Sequence, residues 1–266
     1  MRFKKYLFFV FIFIIASCSS NKYAATNKSY KRKAKALAKE IKKYPLEGKR
    51  STWVGTTNFG MRKPNFVIIH QTSQNSCDQT LHTFTLPRTQ VSAHYVICKD
   101  GTVHHMLNDY LRAWHAGVSS WGNDKDVNSS SIGIELDNNG FEPFPATQIN
   151  SLLTLLDTLK SRYQIPAANF IGHADIAPTR KNDPNVNFPW ELLARQGYGL
   201  WYTDTTAVCV PENFNPLQAL RIIGYSIKDT AAAIVAFKRH FEKQDSCTTI
   251  TDGDKRILYN LMQQYE

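Results

Sequence analysis

The segment Ile171-Gly-His-Ala-Asp-Ile-Ala-Pro-Thr-Arg-Lys-Asn-Asp-Pro184 sets His173 and Asp183 ten residues apart, with Lys181 between them. Far upstream stands its counterpart, Phe66-Val-Ile-Ile-His70, a short apolar run that ends in a histidine. An imidazole at the end of one buried strand can meet an imidazole and a carboxylate from a later loop. Three N/O ligands of that kind hold a catalytic zinc while one coordination position stays open to water. The chain therefore reads as a metal hydrolase whose fold must bring those two segments together.

The N-terminal residues read as an address. Met1-Arg-Phe-Lys-Lys5 is basic, and Tyr6 to Ile15 is an apolar run too short to remain as a bilayer-spanning helix. Ile15-Ala-Ser-Cys18 has the form of a lipobox, so residues 1–17 are expected to be a lipoprotein signal peptide and Cys18 the lipidated residue. The plainer alternative is a secretory signal followed by a chance cysteine. Acyl chains on Cys18 would act as a membrane anchor, and Ser19 leans the address toward the outer membrane, facing the periplasm.

The formal net charge of +10 is distributed unevenly. Residues 18–50 hold eleven Lys/Arg against Glu40 and Glu47, whereas residues 51–266 hold 18 basic and 20 acidic side chains. The excess belongs to the leader and to a Lys-rich tether over 18–50, not to the folded body. A nucleic-acid groove needs its basic residues on the domain itself, so no nucleic acid is expected as a partner. The tether reads as a solvated segment, helical around Tyr30 to Lys43, that could also lie against anionic headgroups or wall polymer. Without Cys18, four cysteines remain in an exported chain: Cys77, Cys98, Cys209 and Cys247. Cys77 with Cys98 and Cys209 with Cys247 is the pairing that stays within each domain; other pairings and free thiols stay open.

Periodicity places the elements. Phe66–His70 reads as a buried strand and Ser76–Leu86 as a helix. Ala93–Cys98 and Thr102–Leu107 alternate as strands joined by the turn Lys99-Asp-Gly-Thr102, and Ser131–Leu136 is another strand. Thr147–Tyr163 repeats Ile149, Leu152, Leu153, Leu156 and Leu159 at helical spacing, and Trp190–Arg195 is a short helix stopped by Gly197. The pattern predicts an α/β domain over 51–202, a mixed central β-sheet flanked by helices. Over 203–266 a turn-rich stretch leads into three helices, Leu217–Ile223, Thr230–Phe241 and Asp254–Tyr265, a small bundle of its own.

Five motifs now stand in order: His70 after its strand, Val91-Ser-Ala-His-Tyr95, Trp114-His-Ala-Gly117, Ser131-Ile-Gly-Ile-Glu135, and Gly172-His-Ala-Asp-Ile-Ala-Pro with Lys-Asn-Asp-Pro184. Together they resemble the type 2 N-acetylmuramoyl-L-alanine amidases, zinc enzymes related to the peptidoglycan recognition proteins. The likeness is strongest to outer-membrane lipoprotein amidases with a C-terminal helical peptidoglycan-binding domain. That resemblance implies an amidase-like fold and one Zn2+ per chain on His70, His173 and Asp183. It implies Glu135 as general base and then general acid, a task that needs a carboxylate able to take and return a proton. Lys181 would stabilise the oxyanion of the attacked carbonyl; Arg180 could share that task or bind a stem-peptide carboxylate.

His94 and His115 could each be a third imidazole on the metal, a substrate contact or a core histidine. With Asp183 as the third ligand in the family pattern, both become pocket or support residues. Trp114 is expected to wall the cleft. His82, His104, His105 and His240 lack motif context and read as structural or surface residues, and Asp175 could hold the His173 loop. Gln71-Thr-Ser after the first ligand departs from the family and bears on substrate recognition. The expected partners are peptidoglycan or muropeptides, and the membrane through the lipid anchor. The expected reaction is hydrolysis of the amide between the muramic lactyl group and L-alanine. Two other readings remain: a non-catalytic wall-binding lipoprotein, and a zinc hydrolase of another cell-wall amide.

Overall fold

The computed structural model describes residues 22–42, 56–61, 63–244 and 246–265. The leader, Cys18 and tether residues 19–21 and 43–50 lie outside those residues. Two compact units are present, Met1–Phe59 and Gly60–Glu266. In the first, α1 (Ala24–Ile41) has no buried residue and ends with Lys39 in its last turn, where a cation suits the helix dipole. Its alanines and long unbranched side chains favour helix without tertiary support. No helix among the described residues is long and apolar enough to cross a membrane.

The second unit is built on a five-stranded sheet ordered β3-β2-β4-β1-β5, comprising β1 (Phe66–Gln71), β2 (Tyr95–Ile97), β3 (Val103–His105), β4 (Ser131–Leu136) and β5 (Phe170–Gly172). Only β2 and β3 run antiparallel, joined through Gly101 at φ +89°; the other neighbours are parallel. The helices are α2 (Cys77–Thr85), α3 (Val127–Ser130), α4 (Ala146–Tyr163), α5 (His173–Ile176), α6 (Trp190–Arg195), α7 (Pro216–Ile223), α8 (Thr230–Glu242) and α9 (Asp252–Gln263). The mixed sheet flanked by helices agrees with the expected fold class. The short helix α5 falls where the sequence suggested a loop, and α3 lies in a stretch to which no element was assigned.

Side-chain alternation splits the core in two. Val67, Ile69, Ile132, Ile134 and Leu136 face α4 and pack on its Ile149, Leu152, Leu156 and Leu159. The opposite face presents Ile68 and Ile171 to a second cluster with Leu220 and Ile223 of α7, Phe237 and Phe241 of α8, and Leu258 and Leu261 of α9. The three C-terminal helices thus pack on one another and on the sheet, sharing one core with it. Each is started by a side-chain cap: Asn215 on Leu217 and Gln218, Asp229 on Ala232, and Thr251 on Asp254.

Cys77 and Cys98 form a disulfide between the start of α2 and the residue after β2. Cys209 and Cys247 are free thiols. Cys209 is exposed in the turn-rich stretch, and the Cys247 thiol faces the carbonyl of Thr249 in its own loop. The second intradomain pairing considered from the sequence is therefore not formed.

Lys238 is buried in α8, with Nζ 2.7 Å from the Asp254 carboxylate and 3.8 Å from Glu242. Burial, and then the neighbouring Asp254 carboxylate, push the Glu242 carboxyl up to about 7. The unfolded chain ionises this group near the ordinary value, whereas the folded chain keeps the proton until about 7. Its contribution to stability is therefore present at low pH and lost as pH rises through that window. Glu242→Gln should match the parent in thermal melts near pH 4 and exceed it by on the order of 1 kcal/mol at pH 8. A difference that does not change with pH would remove Glu242 from this account.

Candidate active site

In the parallel pairing of β1 with β4, His70 lies opposite Glu135. His70 follows Ile68 by two residues and Glu135 follows Gly133 by two, so both side chains rise on the face away from α4. His173 comes directly after β5 as the first residue of α5. All three sit at the carboxyl ends of parallel strands, where α/β sheets place their ligands. Asp183 is drawn in from the following loop: its carbonyl accepts from Ala174 N at 2.8 Å.

The side chains converge on one point. His70 Nδ1 is 2.8 Å from His173 Nδ1, and Asp183 Oδ2 is 3.1 Å from His173 Nδ1 and 3.5 Å from His70 Nδ1. All three residues are buried, and their ligand atoms could hold a metal ion. Hydrogen bonds behind the rings assign the tautomers. His70 Nε2 donates to His115 Nδ1 at 3.0 Å, and His115 Nε2 donates to Ser131 Oγ at 3.2 Å; Ser131 in turn donates to the Val127 carbonyl. His173 Nε2 donates to the Ala116 carbonyl at 3.3 Å. Both Nδ1 lone pairs are thereby left facing Asp183, as metal-binding imidazoles require.

Electrostatics agree with that assignment. Burial, reinforced by the neighbouring His173, lowers the His70 pKa to about 4, so the ring is neutral at physiological pH. Against burial, which alone would raise it, the neighbouring His173 and His70 hold the Asp183 carboxyl far below the usual carboxylate range, so it is ionised. Two neutral imidazoles and one carboxylate form a donor set of net charge −1, suited to a dication and to N/O-ligated zinc. The residues present therefore fit such a metal. The other converging group, Cys77, Cys98 and His104, is not comparable, because its two cysteines are joined in the disulfide.

Glu135 is half-buried, and its Oε2 is sealed without a hydrogen-bond partner among the described residues. Burial, and then the Asp183 charge, push its carboxyl up to about 8, against the opposing pull of Lys181. Lys181 is near enough for its charge to act on both His70 and Glu135. A dication on the three ligands would favour the ionised carboxylate.

The other expected site residues take different places. His115 is buried behind His70 and supports it. His94 is wholly buried; its Nδ1 accepts from Gly133 N at 3.1 Å and its Nε2 donates to the Leu111 carbonyl at 2.9 Å. It is a core histidine that fixes β4. The Arg180 guanidinium, expected on the substrate, donates to the carbonyls of Ala116 at 2.9 Å and Val118 at 2.7 Å. Those bonds make it a clamp on the loop that carries His115. Trp114 is 46% exposed beside His115, in keeping with a cleft wall.

Several contributors carry no motif signal of their own. Asn128 Oδ1 accepts from His115 N and Ala116 N. Gln71 Oε1 accepts from Asn185 N, two residues beyond Asp183. Gly133 makes room for the His115 ring, which a Cβ at that position would meet at 2.4 Å. Gln71 was singled out from the sequence as bearing on substrate recognition, and Gly133 stands inside the motif Ser131-Ile-Gly-Ile-Glu135.

Such a fold, with a buried two-histidine, one-carboxylate centre beside an unpaired glutamate, defines a metallohydrolase-type site. Residues 60–186 match the family model described as N-acetylmuramoyl-L-alanine amidase. The chain is 34% identical over 206 residues to the Escherichia coli K12 N-acetylmuramoyl-L-alanine amidase AmiD, covering 66% of this chain and 74% of that protein. It is also 34% identical over 145 residues to the 1,6-anhydro-N-acetylmuramyl-L-alanine amidase AmpD of Enterobacter cloacae, covering 48% of this chain and 78% of that one. Among solved structures, E. coli AmiD in complex with anhydro-N-acetylmuramic acid-L-Ala-D-γ-Glu-L-Lys superposes with a TM-score of 0.68 at 28% identity, over 84% of this chain and 95% of that one. Pseudomonas aeruginosa AmpDh3 in complex with anhydromuramic pentapeptide gives a TM-score of 0.71 at 28% identity, over 83% and 99%. The chain belongs to the N-acetylmuramoyl-L-alanine amidase family.

Gly133→Ala should displace His115 and, through it, His70. The expected cost is about 1–3 kcal/mol of stability, together with a roughly 10-fold or greater loss of metal affinity. Thermal melts and chelator competition on the purified variant measure both, and unchanged metal affinity would disconnect His115 from the ligand set.

Proposed function

We propose that this protein hydrolyses the amide joining the lactyl group of N-acetylmuramic acid to the L-alanine of the peptidoglycan stem peptide, using one zinc ion. The observation that carries the reading is the pairing of a buried His70–His173–Asp183 donor set with the unpaired Glu135 carboxyl at the same end of the sheet. Family membership supports the substrate class, and relatives in complex with anhydromuramic peptides support muropeptides as ligands.

His70, His173 and Asp183 would hold the zinc, which when bound supplies Lewis acidity toward water and toward the amide carbonyl. The remaining work falls to the chain's own side chains. Glu135 takes a proton from the water whose oxygen adds to the lactyl carbonyl carbon. It then returns that proton to the alanyl nitrogen as the C–N bond breaks, and the second proton of the water passes from the new carboxylic acid to the amine, leaving a lactyl carboxylate and an alanyl ammonium. Lys181 offsets the negative charge that gathers on the carbonyl oxygen. The His115–Ser131 relay keeps the His70 Nδ1 lone pair directed inward, and Trp114 borders the approach.

The site of action is the cell envelope. Lipidation at Cys18 would anchor the chain, with the Lys-rich segment containing α1 as tether, and muropeptides and wall polymer are its partners. The C-terminal helices would add wall contact on their outward side.

Incubating the protein with a purified muropeptide should release the free L-alanyl peptide, detected by mass spectrometry and lost on chelation. Glu135→Gln should lower turnover by about 10²–10⁴-fold with zinc content unchanged. Cleavage at a different amide would keep the metal site and replace the substrate bond. Full activity in Glu135→Gln would take Glu135 out of the reaction.

A further inference from the structure

The His173-bearing helix α5 is a single turn of four residues, His173–Ile176, too short to be stable by its own hydrogen bonds. Its position depends on Asp175, which is 2% exposed. Asp175 Oδ2 accepts from Gly172 N at 2.8 Å and thereby fixes the residue that precedes His173. The same carboxylate also receives two bonds from far along the chain. Tyr225 OH donates to Oδ1 at 2.7 Å, and His240 Nδ1 donates to Oδ2 at 2.8 Å.

Both donors are themselves immobilised. Tyr225 follows Gly224, the end of α7, where φ is +136° and a Cβ would meet the Trp121 ring at 2.3 Å. No other residue type could bring the chain so close to that indole. The Tyr225 ring lies edge-on to Trp121 with centroids 5.0 Å apart. The His240 ring is stacked on Trp190 at 4.0 Å and on Phe241 at 4.2 Å. The surrounding cluster joins Ile68, Ile171 and Ile176 to Phe237 and Phe241. One buried carboxylate thus ties the strand end carrying His173 to α7 and α8. Without those donors it would be left under-paired in an apolar setting, and its hold on Gly172 would have to change.

We infer that the C-terminal helices act on the metal centre through Asp175, with Tyr225 and His240 as positioning residues that set His173. The inference rests on the reading that His173 holds the metal. A helical appendage serving wall contact alone would have no need of buried hydrogen bonds to the residue two places after a ligand.

The test uses the full chain and measures zinc affinity by competition with a fluorescent chelator, together with kcat, KM and thermal melts. Tyr225→Phe removes one hydroxyl, and His240→Phe keeps the ring stack but loses the donor. Each should weaken zinc binding by about 10-fold and lower kcat with KM unchanged. His240→Asn, whose amide can donate near the Nδ1 position, should recover much of the lost affinity. A lowered melting temperature with unchanged zinc affinity would overturn the inference in favour of simple packing. Should the variants fail to fold, hydrogen exchange on the wild-type protein decides. Zinc should protect the amides around Tyr225 and His240 as well as α5, and protection confined to α5 would overturn it. Zinc binding without muropeptide cleavage would sink the proposed reaction alone, whereas absence of zinc binding by the wild type would sink both.

Discussion

Two imidazole nitrogens 2.8 Å apart beside a carboxylate set the terms for everything else in this molecule. Three lone-pair donors pressed together in a buried site repel one another unless a proton or a cation lies among them. The fold holds them there by giving each ring a fixed partner at its other nitrogen. His70 leans on His115 and Ser131, and His173 leans on the Ala116 carbonyl. Arg180 and Asn128 then secure the loop carrying both His115 and Ala116. His115, Ser131 and Asn128 are buried polar residues, placed as supports for the donors they surround.

The sheet supplies the precision. Parallel pairing fixes His70 against Glu135 in register, and a slip of one residue would send the imidazole into the core beneath α4. The same alternation that buries Val67 and Ile69 on one face therefore delivers His70 and Glu135 to the other. The price is paid at Gly133, where the strand forgoes a side chain so that His115 can stand behind His70.

The parts of this plan that were legible in the sequence are those encoded locally. An apolar strand ending in histidine, an alternating strand ending in glutamate, and two ligands ten residues apart each carry their signal within a few neighbours. The three helices of the C-terminal segment were legible as well. What escaped notice is set by through-space pairing. His94 and His115 sit in similar small-residue motifs, yet one is bound at both nitrogens by backbone and the other reaches the ligand. Arg180 was expected on the substrate, yet its Nε and Nη2 donate to carbonyls 62 and 64 residues away. His240 lacks motif context and reads from the sequence as a structural or surface residue. It is buried because Asp254 neutralises Lys238 and Asp175 accepts from His240.

The two faces of the sheet also differ in what they ask of their cover. Helix α4 covers a face that is apolar along its length, so it need only fill space. The opposite face changes from Ile68 and Ile171 to His70, Glu135 and His173 within one or two residues along the strands. Its cover must pack tightly against the aliphatic part and offer polar partners where the polar part begins. Helices α7, α8 and α9 meet that demand, burying Phe237 and Leu258 in the apolar part of the cluster. Where the apolar part ends they offer Tyr225 and His240, whose polar atoms meet Asp175. The boundary between the core and the candidate metal site thus runs through a carboxylate two residues from His173, and a shift of the covering helices would be transmitted to it.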